Sequence, residues 1–148
     1  MAEMTSGTIL INAPAKRVRD LLFDIAQYPK WSKAIKSVEV LEKDGSGRAT
    51  SARLMVDAGM MKDKVVLDYD WSQSPERLTF SLSDADLLTA MDGVYLISEV
   101  GEETSVTYEL QVDLSMPIPA IMRHKAEQAV IDSALAQLKI VAEKEEEE

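Results

Sequence analysis

Apolar and polar residues alternate with a period of two from Ser37 to Leu114. Val65, Leu67, Tyr69 and Trp71 share one face of a strand, and Lys64, Asp68 and Asp70 share the other. Leu78, Phe80 and Leu82 alternate with Arg77, Thr79 and Ser81, and Val106, Tyr108, Leu110, Val112 and Leu114 alternate with polar partners. Alternation of this kind predicts half-buried strands with one wet face and one covered face. The gaps between the runs are short and rich in turn formers: Asp44-Gly45-Ser46-Gly47, Asp57-Ala58-Gly59, Ser72-Gln73-Ser74-Pro75 and Gly101-Glu102-Glu103. Gaps of that length fit hairpins, so the sheet is expected to be antiparallel.

Helical spacing flanks this region on both sides. A first strand is predicted over Gly7 to Asn12, followed by a helix that starts at Asn12-Ala13-Pro14 and carries Val18, Leu21, Leu22 and Ile25 on one face. Pro29 biases Tyr28 out of helical geometry and is expected to close that helix, with a short helical turn from Trp31 to Ala34. Pro117 and Pro119 interrupt the last strand and open a final helix of about 25 residues. Its polar stripe holds Lys125, Gln128, Asp132, Lys139 and Glu143. The opposite arc is wide, with Met122, Ala126, Ala129, Val130, Ser133, Ala134, Ala136, Leu138 and Val141. So broad an apolar arc needs a surface that wraps it, and a twisted sheet supplies one. The fold class expected is α+β: a curved antiparallel sheet of about seven strands around a long C-terminal helix, with two short helices after the first strand.

Composition narrows the function classes. A chain of 148 residues fits one domain over 1–148, with residues 1–6 and 143–148 read as flexible tails. There is no cysteine, hence no disulfide, thiolate metal site or cysteine nucleophile. The longest apolar run is four residues, Val94 to Ile97, far short of a bilayer span, and the first residues do not read as a signal peptide; a cytoplasmic setting without membrane insertion is the expectation. A net charge of −10 disfavours nucleic acid and anionic lipid as partners.

Several motifs resemble one family. Ile11-Asn12-Ala13-Pro14-Ala15-Lys16-Arg17-Val18, followed by Ile25-Ala26-Gln27-Tyr28-Pro29-Lys30-Trp31, is similar to the opening of the START-like (SRPBCC) superfamily. Met91-Asp92-Gly93-Val94-Tyr95 resembles a strand motif of that group, and Met116-Pro117-Ile118-Pro119 leads into a helix like its closing segment. The subgroup it resembles is the polyketide cyclase/dehydrase and coenzyme Q-binding START type. The resemblance covers nearly the whole chain and implies the helix-grip fold with an internal cavity for a lipid, quinone or polyketide-like molecule. It also leaves two alternatives open: an aromatic polyketide cyclase or dehydratase, and a protein-interaction or toxin-like module without ligand chemistry.

Residue size points to the same cavity. The small residues Ala126, Ala129, Ser133, Ala134 and Ala136 leave space under the helix, and empty apolar space costs about 24 cal/mol per Å³, so a space that is kept implies an occupant. The competing reading is that they let the helix dock tightly. Met55, Met60, Met61, Met91, Met116 and Met122 are a reserve of adaptable side chains. The expected ligand contacts are Trp31, Met55, Leu67, Tyr69, Trp71, Phe80, Tyr95, Tyr108, Met122, Ala126, Ala129, Val130 and Ser133. Arg123 and Glu127 fall near the apolar arc and can pair at i, i+4, or Arg123 can meet an anionic ligand group. The segment from Met116 to Ile121 reads as a structural cap, an entrance flap or a membrane-touching lip, and net acidity disfavours the last on anionic lipid. The sole histidine, His124, has neither cysteine nor second histidine to work with, and Asp68 and Asp70 face solvent, so no catalytic residue, cofactor or metal is assigned. The cyclases of the resembling family carry a cavity arginine and tyrosines. The corresponding strand here, Val65 to Trp71, has no arginine, and Ser32-Lys33-Ala34-Ile35 follows Trp31 where they carry another tyrosine, so a binder is favoured over an enzyme.

Overall fold

The computed structural model describes residues 4–57, 62–74, 76–116 and 118–144. Seven strands form one antiparallel sheet: β1 (Thr5–Ile11), β2 (Ile35–Lys43), β3 (Ala49–Asp57), β4 (Lys62–Asp70), β5 (Arg77–Ala85), β6 (Leu88–Val100) and β7 (Glu103–Leu114), in the spatial order β1-β7-β6-β5-β4-β3-β2. Strands β2 to β7 are a meander, and β1 returns to pair with β7, Thr5 opposite Leu110 and Ile11 opposite Thr104. Register shifts interrupt the β2–β3, β4–β5 and β6–β7 ladders. Such irregularities bend strands, and here they accompany a sheet curved around a helix. The antiparallel sheet is what the alternating pattern predicted, and its wrapping around a long C-terminal helix is the α+β helix-grip fold that the resemblance implied.

Helix α1 (Ala15–Phe23) follows β1 and buries Ala15, Val18 and Leu22. A single 3-10 turn at Ile25–Gln27 leads into the one-turn helix α2 (Tyr28–Trp31). Here the structure departs from the expectation at Pro29. Tyr28 is helical (φ −52°, ψ −40°) and Pro29 lies inside the first turn of α2. A first-turn residue needs no N–H partner, so the proline starts a helix where it was expected to end one.

The long helix α3 (Ala120–Glu143) lies in the concavity and packs on β1 and β7. Its buried residues are Glu127, Val130, Ile131, Leu135, Leu138 and Ala142. Full burial of each large aliphatic side chain in that set is worth about 1.5–3 kcal/mol. The buried stripe is therefore narrower than the arc read from sequence, and Ala129 and Ala136 face solvent. Alanine presents little area, so Ile131, Leu135 and Leu138 set the orientation. The strand side comes close at Gly7, where a Cβ would stand 2.8 Å from Ile131 Cγ2.

Residues of both segments read as tails make contacts with the rest of the fold. Thr5 and Ser6 pair with Leu110 and Glu109 in β1, and Glu143 accepts from the Asn12 N–H at 2.7 Å and from Lys139 Nζ at 2.5 Å. The readings at residues 1–3, 58–59, Met60, Met61, Pro75, Pro117 and 145–148 lie outside the described residues.

Candidate functional site

An aromatic row crosses the concave face of the sheet. Tyr69 on β4 stands opposite Phe80 on β5, and Tyr95 on β6 opposite Tyr108 on β7. The ring centroids of Tyr69 and Phe80 are 5.9 Å apart, those of Phe80 and Tyr108 6.4 Å, and Tyr95 and Tyr108 stack at 4.2 Å. Between them β6 carries Gly93, the direct partner of Phe80, and the Phe80 ring leans over it. Period-two alternation puts these rings on one face, and the missing side chain at Gly93 lets Phe80 lie down.

Above this floor is a cavity of about 50 Å³. Leu54 and Val56 of β3, Leu67 of β4, Met91 of β6, Val130 and Ala134 of α3, and Tyr28, Trp31, Ser32, Ala34 and Ile35 of the α2–β2 segment complete its wall. Eleven of its fifteen residues are buried, while Trp31, Ala34, Ile35 and Ala134 are half-buried. Those four mark the seam between the α2–β2 segment and α3, where the cavity meets solvent. The Lys33 N–H donates across this seam to Gln137 Oε1 at 2.6 Å, and Gln137 Nε2 donates in turn to Ser133 Oγ at 3.0 Å.

The wall is chemically uniform. None of its side chains is charged at neutral pH, and all four tyrosines of the chain belong to it. Burial pushes the hydroxyl pKa values of Tyr28, Tyr69, Tyr95 and Tyr108 up, with neighbouring tyrosines raising those of Tyr28, Tyr69 and Tyr95 further. A raised folded-state pKa means the neutral tyrosines contribute stability below the unfolded value of about 10, and lose it as pH rises beyond that value. In an alkaline titration no tyrosinate absorbance is therefore expected at pH values near 10. It should appear in one step with loss of the fold. Free ionisation of two or more tyrosines in folded protein at that pH would mean that the cavity is open to water.

The structure brings Trp31, Leu67, Tyr69, Phe80, Tyr95, Tyr108 and Val130 together on the wall and places the other expected contacts elsewhere. Met55 is 38% exposed on the outer face of β3, one residue out of phase with Leu54 and Val56. Trp71 is buried beyond the wall: its indole N–H donates to the Ala49 carbonyl at 2.7 Å, Phe23 meets it edge-on, and the Arg48 guanidinium lies 5.2 Å from its ring centroid. Met122 and Ala129 are exposed, Ala126 is half-buried off the wall, and Ser133 holds Gln137. Met116 and Ile121 are also exposed and off the wall. Sequence reasoning missed Tyr28, Ser32, Ala34, Ile35, Leu54 and Val56, while Ala134 and Met91, singled out above for size and adaptability, also lie on the wall. Leu54 and Val56 carried a usable signal, since both alternate with Arg53 and Met55.

Polar contacts pin α3 at both ends and leave its middle to the cavity. At its N-terminal end Glu127 is wholly buried. It accepts from Thr5 Oγ1 at 2.5 Å and from the Val112 N–H at 2.8 Å, with His124 Nδ1 at 3.2 Å and Arg123 Nε at 3.9 Å. Arg123 reaches on to Asp113 at 3.2 Å. At the C-terminal end Arg17 donates to the carbonyls of Val141, Ala142 and Lys144. Among the described residues no group of three or more His, Asp or Glu side chains is arranged to hold a metal, and no helix is long and apolar enough to cross a membrane.

A model of the family described as polyketide cyclase/dehydrase and lipid transport matches residues 3–143. A START superfamily protein from Mycobacterium smegmatis superposes with a TM-score of 0.90 at 22% identity, covering 96% of this chain and 98% of that one. A protein from Thermus thermophilus follows at 0.80 and 24%, covering 95% and 99%. The Zhui aromatase/cyclase from a Streptomyces species superposes at 0.72 and 17%, covering 91% and 92%. At these identities the likeness speaks for the fold alone. No curated protein matches the sequence.

Proposed function

The chain belongs to the polyketide cyclase/dehydrase and lipid transport family, and on that premise we propose that it binds and carries a hydrophobic small molecule, a lipid, quinone or polyketide-like compound, in the cavity under α3. The observation that carries this reading is the wall itself: aromatic and aliphatic throughout, uncharged, and set in the concavity of the sheet. Ligand sites of drug size occupy about 300–1,000 Å³, so on this reading the cavity of about 50 Å³ has to widen when a ligand enters. Loading it requires the α2–β2 segment to move away from α3 along the seam bridged by Gln137.

Carriage is favoured over chemistry by the same wall. Proton transfer is efficient when the catalytic pKa lies near the working pH. The only titratable wall groups are the four tyrosines, and burial moves each of them further from neutrality.

A pair of substitutions on α3 tests the proposal with a neutral, environment-sensitive dye as probe. Ala134→Phe puts a ring into the wall and is expected to lower dye affinity at least about tenfold, because the added volume exceeds what the closed cavity holds. Ala129→Phe lies on the solvent side and is expected to leave binding unchanged. Equal behaviour of the two variants would mean that the dye binds elsewhere. Native mass spectrometry of protein isolated from its own host is expected to show a co-purifying apolar molecule.

A further inference from the structure

On the ligand-binding reading proposed above, a molecule reaching the wall passes the seam between the α2–β2 segment and α3, and the hydrogen bonds around that seam show which side yields. Helix α3 is anchored at both ends. Glu127 ties its first half to Thr5 of β1 and to the Val112 N–H of β7, and Arg17 of α1 takes the carbonyls of Val141 and Ala142 at the other end. Residues 32–35 are held differently. The Ser32 N–H donates to the Tyr28 carbonyl at 2.8 Å and the Ile35 N–H to the Ser32 carbonyl at 3.3 Å, local bonds that travel with the segment. The Asp57 N–H of β3 donates to the Ala34 carbonyl at 2.7 Å, and the β2–β3 register shifts between Ile35 and Ser37. Such an irregularity interrupts the ladder and gives the strand a place to bend. Toward α3 the segment makes one hydrogen bond among the described residues, from the Lys33 N–H to Gln137 Oε1 at 2.6 Å.

We infer that the Gln137 side chain is a strap across this seam, and that it sets the rate at which a ligand enters and leaves rather than how tightly the ligand is held. Gln137 is not part of the wall, so a bound molecule does not depend on it for contact. Its amide is oriented from its own helix: Nε2 donates to Ser133 Oγ at 3.0 Å one turn back, which leaves Oε1 to the Lys33 N–H. Apolar grip across the seam is thin on the α3 side, where the half-buried wall residue is Ala134. Alanine buries little area, so the amide bridge carries a larger share of the closure than it would beside a leucine. Lys33 is exposed and Gln137 half-buried, so water replaces both bonding partners when the seam parts. The strap therefore yields reversibly, and passage in either direction has to break it.

Stopped-flow mixing of the full chain with prodan, a neutral dye whose emission shifts in apolar surroundings, reads entry, and a chase with unlabelled protein reads release. Gln137→Leu keeps the bulk of the side chain and removes the bridge. It is expected to raise both rate constants by about 2- to 10-fold, the size of one net hydrogen bond, while equilibrium affinity stays within about twofold. Ser133→Ala, which frees the amide without touching Lys33, is expected to raise both by a smaller factor. The converse test uses a chain that has no cysteine of its own. With Lys33→Cys and Gln137→Cys combined, joining the two thiols with dibromobimane is expected to slow entry at least about tenfold relative to the same variant left unjoined. An entry rate unchanged in Gln137→Leu, an affinity change carried by release alone, or dye entering the joined protein at the unjoined rate would overturn the inference and leave the ligand-binding reading standing. Failure of prodan to bind the unaltered protein would overturn both.

Discussion

Glu127→Ala is expected to destabilise the protein by about 3–5 kcal/mol, the range seen when one partner of a buried charged cluster is removed. The Glu127 side chain is fully buried, yet both carboxylate oxygens are used: one takes the Thr5 hydroxyl and lies beside His124, the other takes the Val112 N–H. Truncation orphans the Val112 amide in the interior, which alone costs about 1–3 kcal/mol. It also strips Arg123 of one of two carboxylate charges around a guanidinium whose Nε is buried and has no hydrogen bond. Glu127→Gln keeps an oxygen for Val112 and is expected to cost clearly less than the alanine variant. His124→Ala is expected to cost least of the three, since the imidazole is 42% exposed. Urea midpoints with unchanged slopes measure all three. A loss below about 1 kcal/mol for Glu127→Ala would mean that apolar packing alone seats α3 on β1 and β7.

That cluster also shows where sequence stops being legible. Glu127 and Arg123 at i, i+4 were readable as a pair, because helix spacing is local. Thr5 and Val112 were not, because they arrive from strands that only the closed topology brings to α3. The strands themselves were legible: runs such as Val106-Tyr108-Leu110-Val112 state their inner face through period two, and the rings of Tyr69, Phe80, Tyr95 and Tyr108 meet as that face demands. Met55 misled because its flexible, apolar side chain suited a ligand site, while the alternation in its own strand assigned the inner face to Leu54 and Val56. On α3 the alanines misled for a different reason. Each counts as apolar but buries little area, so Ala129 sits in water while Ile131 is fully buried. The wall residues at Tyr28, Ser32, Ala34 and Ile35 depend on a short irregular segment folding back toward α3, and no periodicity encodes that.

Gly93→Val is expected to be the most damaging single change on the sheet, and its effect should reach the cavity floor. A Cβ at position 93 would stand 2.1 Å from Phe80 Cζ and 2.5 Å from Cε2, well inside contact distance. The backbone at Gly93 is not in the left-handed region, so the strand itself accepts a side chain, and any damage comes from the ring. Phe80 can yield only by rising toward Tyr69 and Tyr108, into a cavity of about 50 Å³ that is smaller than a phenyl group. Overpacking of this kind costs about 1–3 kcal/mol for a methyl, and more for the branched side chain of valine. Apolar dye binding should fall with it, because the displaced ring fills the space that the ligand needs. Adding Phe80→Ala to the valine variant is expected to recover much of the lost stability, since the two positions touch directly and their effects cannot add. If the double variant is instead less stable than either single one by the sum of their losses, Gly93 serves something other than the resting place of Phe80, and the aromatic floor is not what the glycine preserves.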